Sequence, residues 1–592
     1  MDYTNNARLT SLFHPFSASR LASGKTLWVA PDFESEGSGA GMDEAGRHAL
    51  FGNMFSYMIP GGMCFDELQF DSSDTVTMQA ERYGGVGIGY NGGGVRCGNV
   101  GKYQIKGIGQ NPLVGDTGNL AHSYGGLSAV DALFETIYAN VLQKILPVGV
   151  ARVHGVILTG PRAAFNIGRA EERSWGALMV RDTVLRPAHF LRASTYAPPG
   201  AMARTMYSDV GRVRMVNRGL LQTCGSVNAV IQFLGNFMMR CANQLAFARV
   251  ARIMHASISP SNMCFDGRWV DLTLTQFLPS DQNTAGFFPN IPSFFEENTA
   301  PLLFLRENID TFNKYNGTNL QFAALANYYF KQLNACFRFH MGYLFALPVS
   351  QLAPDLQENQ LEYVKDDVSA ILSTGKTVRN AWPLVLDMDD PVLGFIERSF
   401  MAVAEPAAAG AHMAHEGAAR VRDGAAFGTA LATLFDAAYA ADTSGGSRRS
   451  FVLAAFLTAF KRAALPEYFY HGRLEYHTIR PAIASGDPAH MAAVISDSIA
   501  IGDWAFEAAD TVVTLYRSPQ STLAFERASG YFIHHSLVQG GSRRFASARE
   551  LLCFVQDSQR SVFVQHEFDF TVYLQRMLRT AVAIEQINGD LE

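Results

Sequence analysis

Tyr83-Gly84-Gly85-Val86-Gly87-Ile88-Gly89-Tyr90-Asn91-Gly92-Gly93-Gly94-Val95-Arg96 leads into a short alternating run, Tyr103-Gln104-Ile105-Lys106, and then into Gly107-Ile108-Gly109. An apolar segment around Leu133-Phe134-Glu135-Thr136-Ile137 closes the stretch. The pattern predicts a glycine-rich turn region, a strand that ends in a lysine, and a helix that carries a glutamate. Those parts in that order suit a nucleotide site. Backbone N–H groups approach the phosphates, the strand lysine neutralises them, and the helix glutamate orients the lysine. Gly92, Gly93 and Gly94 are the candidate phosphate-facing glycines, because a side chain there would hold the backbone away from the phosphate oxygens. Taken alone, such glycines would equally serve a flexible surface loop, and the chain has 52 of them. The nucleotide reading needs a metal-binding half downstream.

That half lies near residue 262. His255-Ala256-Ser257-Ile258-Ser259-Pro260-Ser261-Asn262 is a loop by composition. Met263-Cys264-Phe265 and Trp269-Val270-Asp271 then predict a hairpin, with Asp266-Gly267 as its turn. An asparagine on the loop and an aspartate at the end of the hairpin can hold Mg2+ against nucleotide phosphates with oxygen ligands. Either residue by itself would be a loop-capping amide or a solvated carboxylate. Together they make Asn262 and Asp271 the candidate metal ligands, and Lys106, Glu135 and Asp271 the candidate catalytic residues.

The composition bounds what else the chain can be. At 592 residues, 48% hydrophobic and 17% charged, it has room for two or three domains and a large core. A formal net charge of −6 gives no basic field for a nucleic acid. Seven scattered cysteines without a C-x-x-C pair argue for reduced thiols in a cytoplasmic compartment, and against a disulfide framework or a zinc site. The N-terminus lacks the pattern of a secretory signal. The longest apolar run, Phe451 to Phe460, ends at Lys461-Arg462 and is too short for a membrane span.

Along the chain, residues 1 to 80 predict the lead-in to a β-rich lobe, broken at Pro60-Gly61-Gly62. Val148 to Leu158 and Met179-Val180-Arg181 predict strands, and Arg186 and His189 follow at a loop or helix start. From about 205 to 254, Val227, Val230, Ile231, Leu234, Phe237 and Met238 recur at helical spacing. Residues 300 to 400 are largely helical. Ala404-Glu405-Pro406-Ala407-Ala408-Ala409-Gly410 shifts composition and predicts a domain boundary, with helix-rich sequence from 415 to the end. The expected domains are 1–190 with the glycine-rich loop and lysine, 191–405 with the metal-binding loop, and 406–592 as a helical extension.

Several blocks resemble, in order, the SelO-type (selenoprotein O-like) protein adenylyltransferases. Lys106-Gly107-Ile108-Gly109 is similar to the family's K-G-A-G, and the preceding glycines fall where it has a G-D-G-R turn. Glu135 sits where its R-E-x-L helix supplies the lysine's partner. Gly176 to Arg181 resembles its G-A-x-L-x-R strand, and Arg186-Pro187-Ala188-His189-Phe190 its R-x-G-H-F. His255 to Met263 resembles H-G-x-x-N-x-D-N-M, and Asp271 the metal aspartate that follows. The resemblance covers residues 80 to 275, and 275 to 400 by continuity. It implies an α+β, protein-kinase-like bilobal fold with a β-rich N-lobe and a helical C-lobe, here with a helix-rich extension. It also implies ATP and Mg2+ as cofactors, with Mn2+ as the alternative metal. ATP would lie inverted relative to ordinary kinases, so that AMP is transferred and Arg181 and Arg186 hold the outward phosphates.

The departures bear on mechanism. Ser261 stands where the family has an aspartate suited to proton abstraction, and Ser257 where an ordinary kinase base would sit. His255 is the nearest titratable group, and reads more readily as structural. The chain ends Ile587-Asn588-Gly589-Asp590-Leu591-Glu592, without the family's redox-active cysteine or selenocysteine. Nucleotidyl transfer relies chiefly on positioning and charge neutralisation, and an acceptor that is already a carboxylate needs no base. The reading is an ATP- and Mg2+-dependent transfer of AMP to a protein, peptide or small-molecule acceptor, a carboxylate being one acceptor group that fits. The alternatives are a kinase moving the γ-phosphate and a catalytically inactive, ATP-binding pseudokinase scaffold. The region past residue 410 would recruit substrate or promote oligomerisation.

Overall fold

The computed structural model describes residues 6–33, 42–115, 123–166, 169–200, 209–278, 296–372, 390–414, 421–508, 511–538, 540–558 and 560–589. Its N-terminal part is built on an eight-stranded antiparallel sheet in the order β2-β7-β8-β6-β5-β4-β1-β3. The strands are β1 (Phe13–Leu21), β2 (Lys25–Val29), β3 (Tyr57–Met58), β4 (Phe70–Glu81), β5 (Cys97–Val100), β6 (Tyr103–Lys106), β7 (Val153–Asn166) and β8 (Arg169–Asp182). β6 lies in the middle, paired to β5 on one side and β8 on the other. All four of its residues are buried, including Gln104 and Lys106. A strand covered on both faces reads as buried throughout, not as alternating.

Two helices pack on this sheet. Helix α1 (Glu44–Phe55) starts at Asp43, whose side chain accepts from the Gly46 N–H, and buries Phe51 and Phe55. Helix α2 (Ala129–Ile145) starts at Ser128, whose Oγ accepts from the Asp131 N–H at 3.1 Å. Such a cap satisfies a backbone donor that has no partner within the helix. α2 is buried almost all round, because its other side meets the helix Pro488–Phe506. The fit is close: a Cβ on Gly502 would lie 2.6 Å from Val141. A helix apolar on every face belongs in an interior.

The helical stretch expected over 205–254 is two helices, α3 (Asp209–Cys224) and α4 (Val227–Val250). They break at Gly225, which takes φ +83°, and restart where the Ser226 hydroxyl accepts from the Ala229 N–H. Further helices span Ala300–Asn316, Phe322–Leu344, Pro354–Leu372 and Pro391–Ala404. The composition shift at 404–410 is a tight connection between packed helices. Ala402, Val403, Ala404, Ala409 and Met413 are buried in the same apolar core that takes in Leu133 of α2 and Phe456.

The extension over 406–592, expected to be helix-rich, is largely helical and also contains a sheet. Helices Gly424–Ala440, Arg448–Ala464 and Pro488–Phe506 are followed by an antiparallel sheet of four strands in chain order: Val512–Arg517, Ser521–Glu526, Tyr531–Ser536 and Gly541–Phe545. Helices Ala548–Asp557 and Phe570–Gly589 follow. The signal was in the sequence. Val512-Val513-Thr514-Leu515-Tyr516 is β-branched and aromatic, and Ala528-Ser529-Gly530 is a turn in which Gly530 takes φ +72°. Among the described residues, no helix is long and apolar enough to cross a membrane.

Candidate functional site

Lys106 ends β6 and is 1% exposed. Its Nζ donates to Glu135 Oε2 at 2.7 Å and to Asp271 Oδ1 at 2.7 Å. Three residues read from distant parts of the sequence therefore meet at one ammonium. The other oxygen of Glu135 accepts from Arg181 Nη1 at 2.6 Å, and Arg181 Nε donates to Gln104 Oε1 at 3.0 Å. A buried carboxylate is tolerated only with such compensation. The Asp271 side chain is 30% exposed, whereas those of Lys106 and Glu135 are 1% and 2%. Asp271 is thus the face of the cluster that opens outward.

The hairpin sets Asn262 beside Asp271. The Val270 N–H donates to the Asn262 carbonyl at 3.1 Å, and Cys264 N–H to the Arg268 carbonyl at 2.9 Å. Gly267 makes the turn at φ +85°. Asp271 itself takes φ +63°, the left-handed region that costs a side-chain-bearing residue about 1 kcal/mol or more. Asn262 Nδ2 donates to the Ser257 carbonyl at 3.0 Å and to Ser257 Oγ at 3.1 Å. That fixes the donor end of the amide on the loop, and among the described residues its oxygen accepts a long 3.4 Å bond from Ser261 Oγ.

An amide oxygen and a carboxylate are the hard donors Mg2+ takes, and they leave positions for phosphate oxygens and water. Among the described residues, no group of three or more His, Cys, Asp or Glu side chains could cage a metal by itself. A cation held by Asn262 and Asp271 would therefore share its coordination with a bound polyphosphate.

The electrostatics favour an anion. Burial opposes ionisation of Asp271, but Lys106, then Arg181 and Arg96, outweigh it and hold the carboxyl well below the usual range. Desolvation lowers the pKa of Arg96, but Asp271 together with Cys97, Tyr124 and Asp131 outweighs it, so the guanidinium is raised. Arg186 Nη1 donates to the Ser261 carbonyl at 2.7 Å and Nη2 to Gln104 Oε1 at 3.3 Å, tying the 255–262 loop to the sheet. Arg186 Nε is buried without a hydrogen-bond partner among the described residues. Arg181 and Arg186 are 2% and 3% exposed, so neither is a free, solvent-facing phosphate clamp.

Behind them Glu81 is 1% exposed. It accepts from Asn99 Nδ2 at 2.8 Å and Gln104 Nε2 at 2.9 Å, and lies 3.7 Å from His189 Nε2. Desolvation raises its pKa, but His189, Arg186 and Asn99 together bring it down to about 2.

The glycines need a correction. Gly92 N–H donates to the Leu113 carbonyl at 2.9 Å and Gly94 N–H to the Glu81 carbonyl at 3.2 Å, so neither is offered to a phosphate. Gly93, at φ +153°, is bridged to Arg82, and a Cβ there would lie 2.0 Å from the Glu81 carbonyl oxygen. Gly93 lets the chain pass close to β4, while Gly92 and Gly94 make room for the Tyr196 and Tyr83 rings. The part of the loop that reaches the metal half is earlier: a Cβ on Gly87 would lie 3.8 Å from Ser261 Oγ and 3.9 Å from Ser259 Oγ. Gly87 and Gly89 both take positive φ, and Val86 between Gly85 and Gly87 is exposed.

The 255–262 loop supplies no general base. His255 is fully buried, and its Nε2 donates to the Val270 carbonyl at 3.3 Å while Nδ1 faces Ser257. Desolvation lowers its pKa to about 4. It is a neutral, structural ring. Glu297, which the sequence reading missed, braces the same loop by accepting from the His255 N–H at 3.2 Å and the Ala256 N–H at 2.5 Å. Burial raises its pKa to about 8. Arg96, also missed, closes the glycine stretch and was legible there as a cation next to the lysine strand.

No protein-family model and no curated protein matches the chain. The functional reading rests on the chemistry of the site itself.

Proposed function

We propose that this chain is an ATP- and Mg2+-dependent nucleotidyltransferase on a protein-kinase-like fold, moving AMP to a carboxylate of a protein, peptide or small-molecule acceptor. The single observation that carries the reading is Lys106 Nζ, 2.7 Å from both Glu135 and Asp271. A buried strand lysine held by a helix carboxylate and by a partly exposed carboxylate beside an amide is suited to a metal–polyphosphate.

In this reading, Asn262 and Asp271 would hold the cation, which when bound would supply neutralisation of phosphate charge. Lys106, Arg96, Arg181 and Arg186 provide positive potential for the triphosphate. The Gly85–Gly89 segment covers the phosphates from the sheet side. The acceptor carboxylate oxygen forms a bond to the α-phosphorus, the bond to the bridging oxygen breaks, and pyrophosphate carries the electron pair away. No proton has to be removed, which suits a loop whose nearest groups are Ser257, Ser261 and a neutral His255.

The lack of a base is also what favours the second reading, a catalytically inactive ATP-binding scaffold. ATP labelled at the α- or the γ-phosphate separates the readings. Transfer of the α-label supports AMP transfer, and transfer of the γ-label identifies a kinase instead. Binding without transfer, across a panel of carboxylate and hydroxyl acceptors, identifies the scaffold. Lys106→Ala and Asp271→Ala serve as controls.

A further inference from the structure

The 468–506 segment, far from the site in sequence, touches both elements that present carboxylates to Lys106. His471 Nε2 lies 3.0 Å from the Thr273 carbonyl, so the ring N–H donates to the backbone two residues past Asp271. The same ring stands 4.3 Å from Phe134, the residue before Glu135. One turn further along α2, Tyr138 Oη donates to the Phe469 carbonyl. Phe277, on the segment that continues from Asp271, packs on Tyr138 at 5.6 Å, on Phe469 at 5.6 Å, and flat on Phe506 at 5.4 Å.

We infer that the region beyond residue 406 is a clamp on the catalytic pocket, with His471 as the positioning residue that holds the Glu135 helix and the Asp271 loop in one arrangement around Lys106. Glu135 and Asp271 come from elements with no covalent reason to keep their spacing. One imidazole spans them, by a hydrogen bond on one side and a ring face on the other. Its Nδ1 faces Glu475 Oε2 at 3.5 Å, and Glu475 is itself pinned by Arg480 Nε at 2.8 Å. Residues 475–479 form a π-helical turn, a one-residue insertion that re-aims the side chains around it and recurs at functional sites. Asp131, in the first turn of α2, is near enough for its charge to act on His471 and Glu475. The expected recruiting module is in this way a brace built into the site. Its function rests on the nucleotide reading; its geometry does not.

The test uses the full chain and two variants that divide the contacts. His471→Phe keeps the ring against Phe134 and loses the N–H; His471→Gln keeps a donor for Thr273 and loses the ring. Amide exchange is followed over 271–277 and 129–145, alongside ATP binding as a function of Mg2+ and the transfer rate. The clamp predicts that His471→Phe speeds exchange in 271–277 by about tenfold, that His471→Gln does so in 129–145, and that the rest of the chain is unchanged. It predicts that both variants raise the Mg2+ needed for half-maximal ATP binding. Unchanged exchange in both segments, or a uniform increase across the chain, overturns the clamp. Should the exchange pattern hold while the wild type binds no ATP, the clamp stands and the nucleotide reading falls. A variant that fails to fold is recognised by circular dichroism, and the other then carries the test.

Discussion

Lys106 and Asp271 are 165 positions apart in the chain and 2.7 Å apart through Nζ and Oδ1. The lysine is sealed inside the sheet, while the aspartate is partly open to solvent. The pair therefore joins the interior of the sheet to a partly exposed carboxylate at the end of the hairpin. Removing Lys106 takes away the ammonium that Glu135 and Asp271 share, whereas removing Asp271 leaves the lysine held by Glu135, so the two substitutions probe fold and function differently.

Lys106→Met should abolish label transfer from ATP by at least about a hundredfold, since positive charge at the phosphates is lost. It also leaves Glu135 with Arg181 alone, at a cost on the order of 3 kcal/mol for breaking a buried pair. Urea unfolding measures the second effect and labelled ATP the first. Asp271→Asn should keep the fold better than Lys106→Met, because Glu135 still holds the lysine, and should lose the Mg2+ dependence of binding.

Glu81 gives an acid limb to stability. Its folded pKa of about 2 lies below the ordinary 4.5, so the folded state binds fewer protons between those values. The stabilisation is complete above about pH 4.5 and is lost as pH falls toward 2. Glu81→Gln should flatten the melting temperature against pH over that window. A slope as steep as the wild type's would remove Glu81 as its source.

Glu297 acts with the opposite sign. Its folded pKa of about 8 exceeds the ordinary 4.5, so the folded state holds the extra proton and stability falls as pH rises from 4.5 to 8. Glu297→Gln keeps a carbonyl acceptor for the loop and removes the titration. The variant should lose less stability than the wild type between pH 5 and 8, read as a smaller fall in melting temperature across that range. Differential scanning fluorimetry across that range decides it.

Gly93 and Gly87 should separate fold from ligand contact. Gly93→Ala places a methyl 2.0 Å from the Glu81 carbonyl, on backbone that cannot yield without moving β4, and should be poorly folded. Gly87→Ala meets nothing closer than 3.8 Å, and pays only for its φ of +101°, about 1 kcal/mol. It should fold, and weaken ATP binding several-fold by changing the loop over Ser261. Calorimetry of nucleotide binding distinguishes the two.

Ser261→Asp restores a carboxylate to the loop beside Asn262. On the carboxylate-acceptor reading, it should add AMP transfer to hydroxyl acceptors without improving transfer to carboxylates. Equal gains on both acceptor types would show that a base had been limiting all along.

The central parts of the site were legible because each has a local sequence reason. Tyr103-Gln104-Ile105-Lys106 alternates and is flanked by glycines, so it reads as a strand; Leu133 to Ile137 reads as a buried helix; Asp266-Gly267 reads as a hairpin turn. The order of those elements suggested a shared pocket for Lys106, Glu135, Asn262 and Asp271. Which glycines faced it was not legible. Gly87 and Gly93 sit in one glycine-rich run, and only the approach of β4 to one and of Ser261 to the other tells them apart.

Local chemistry along the chain determined the strand lysine, the helix glutamate, the loop asparagine and the hairpin aspartate, because backbone geometry and side-chain type are properties of a few neighbouring residues. Tertiary structure alone decided that Glu297 braces the loop, that Arg181 shares Glu135 with the lysine, and that His471 spans two elements of the pocket. Those contacts join residues separated by tens to hundreds of positions, and their energies come from burial and charge compensation that exist only once the chain has closed on itself.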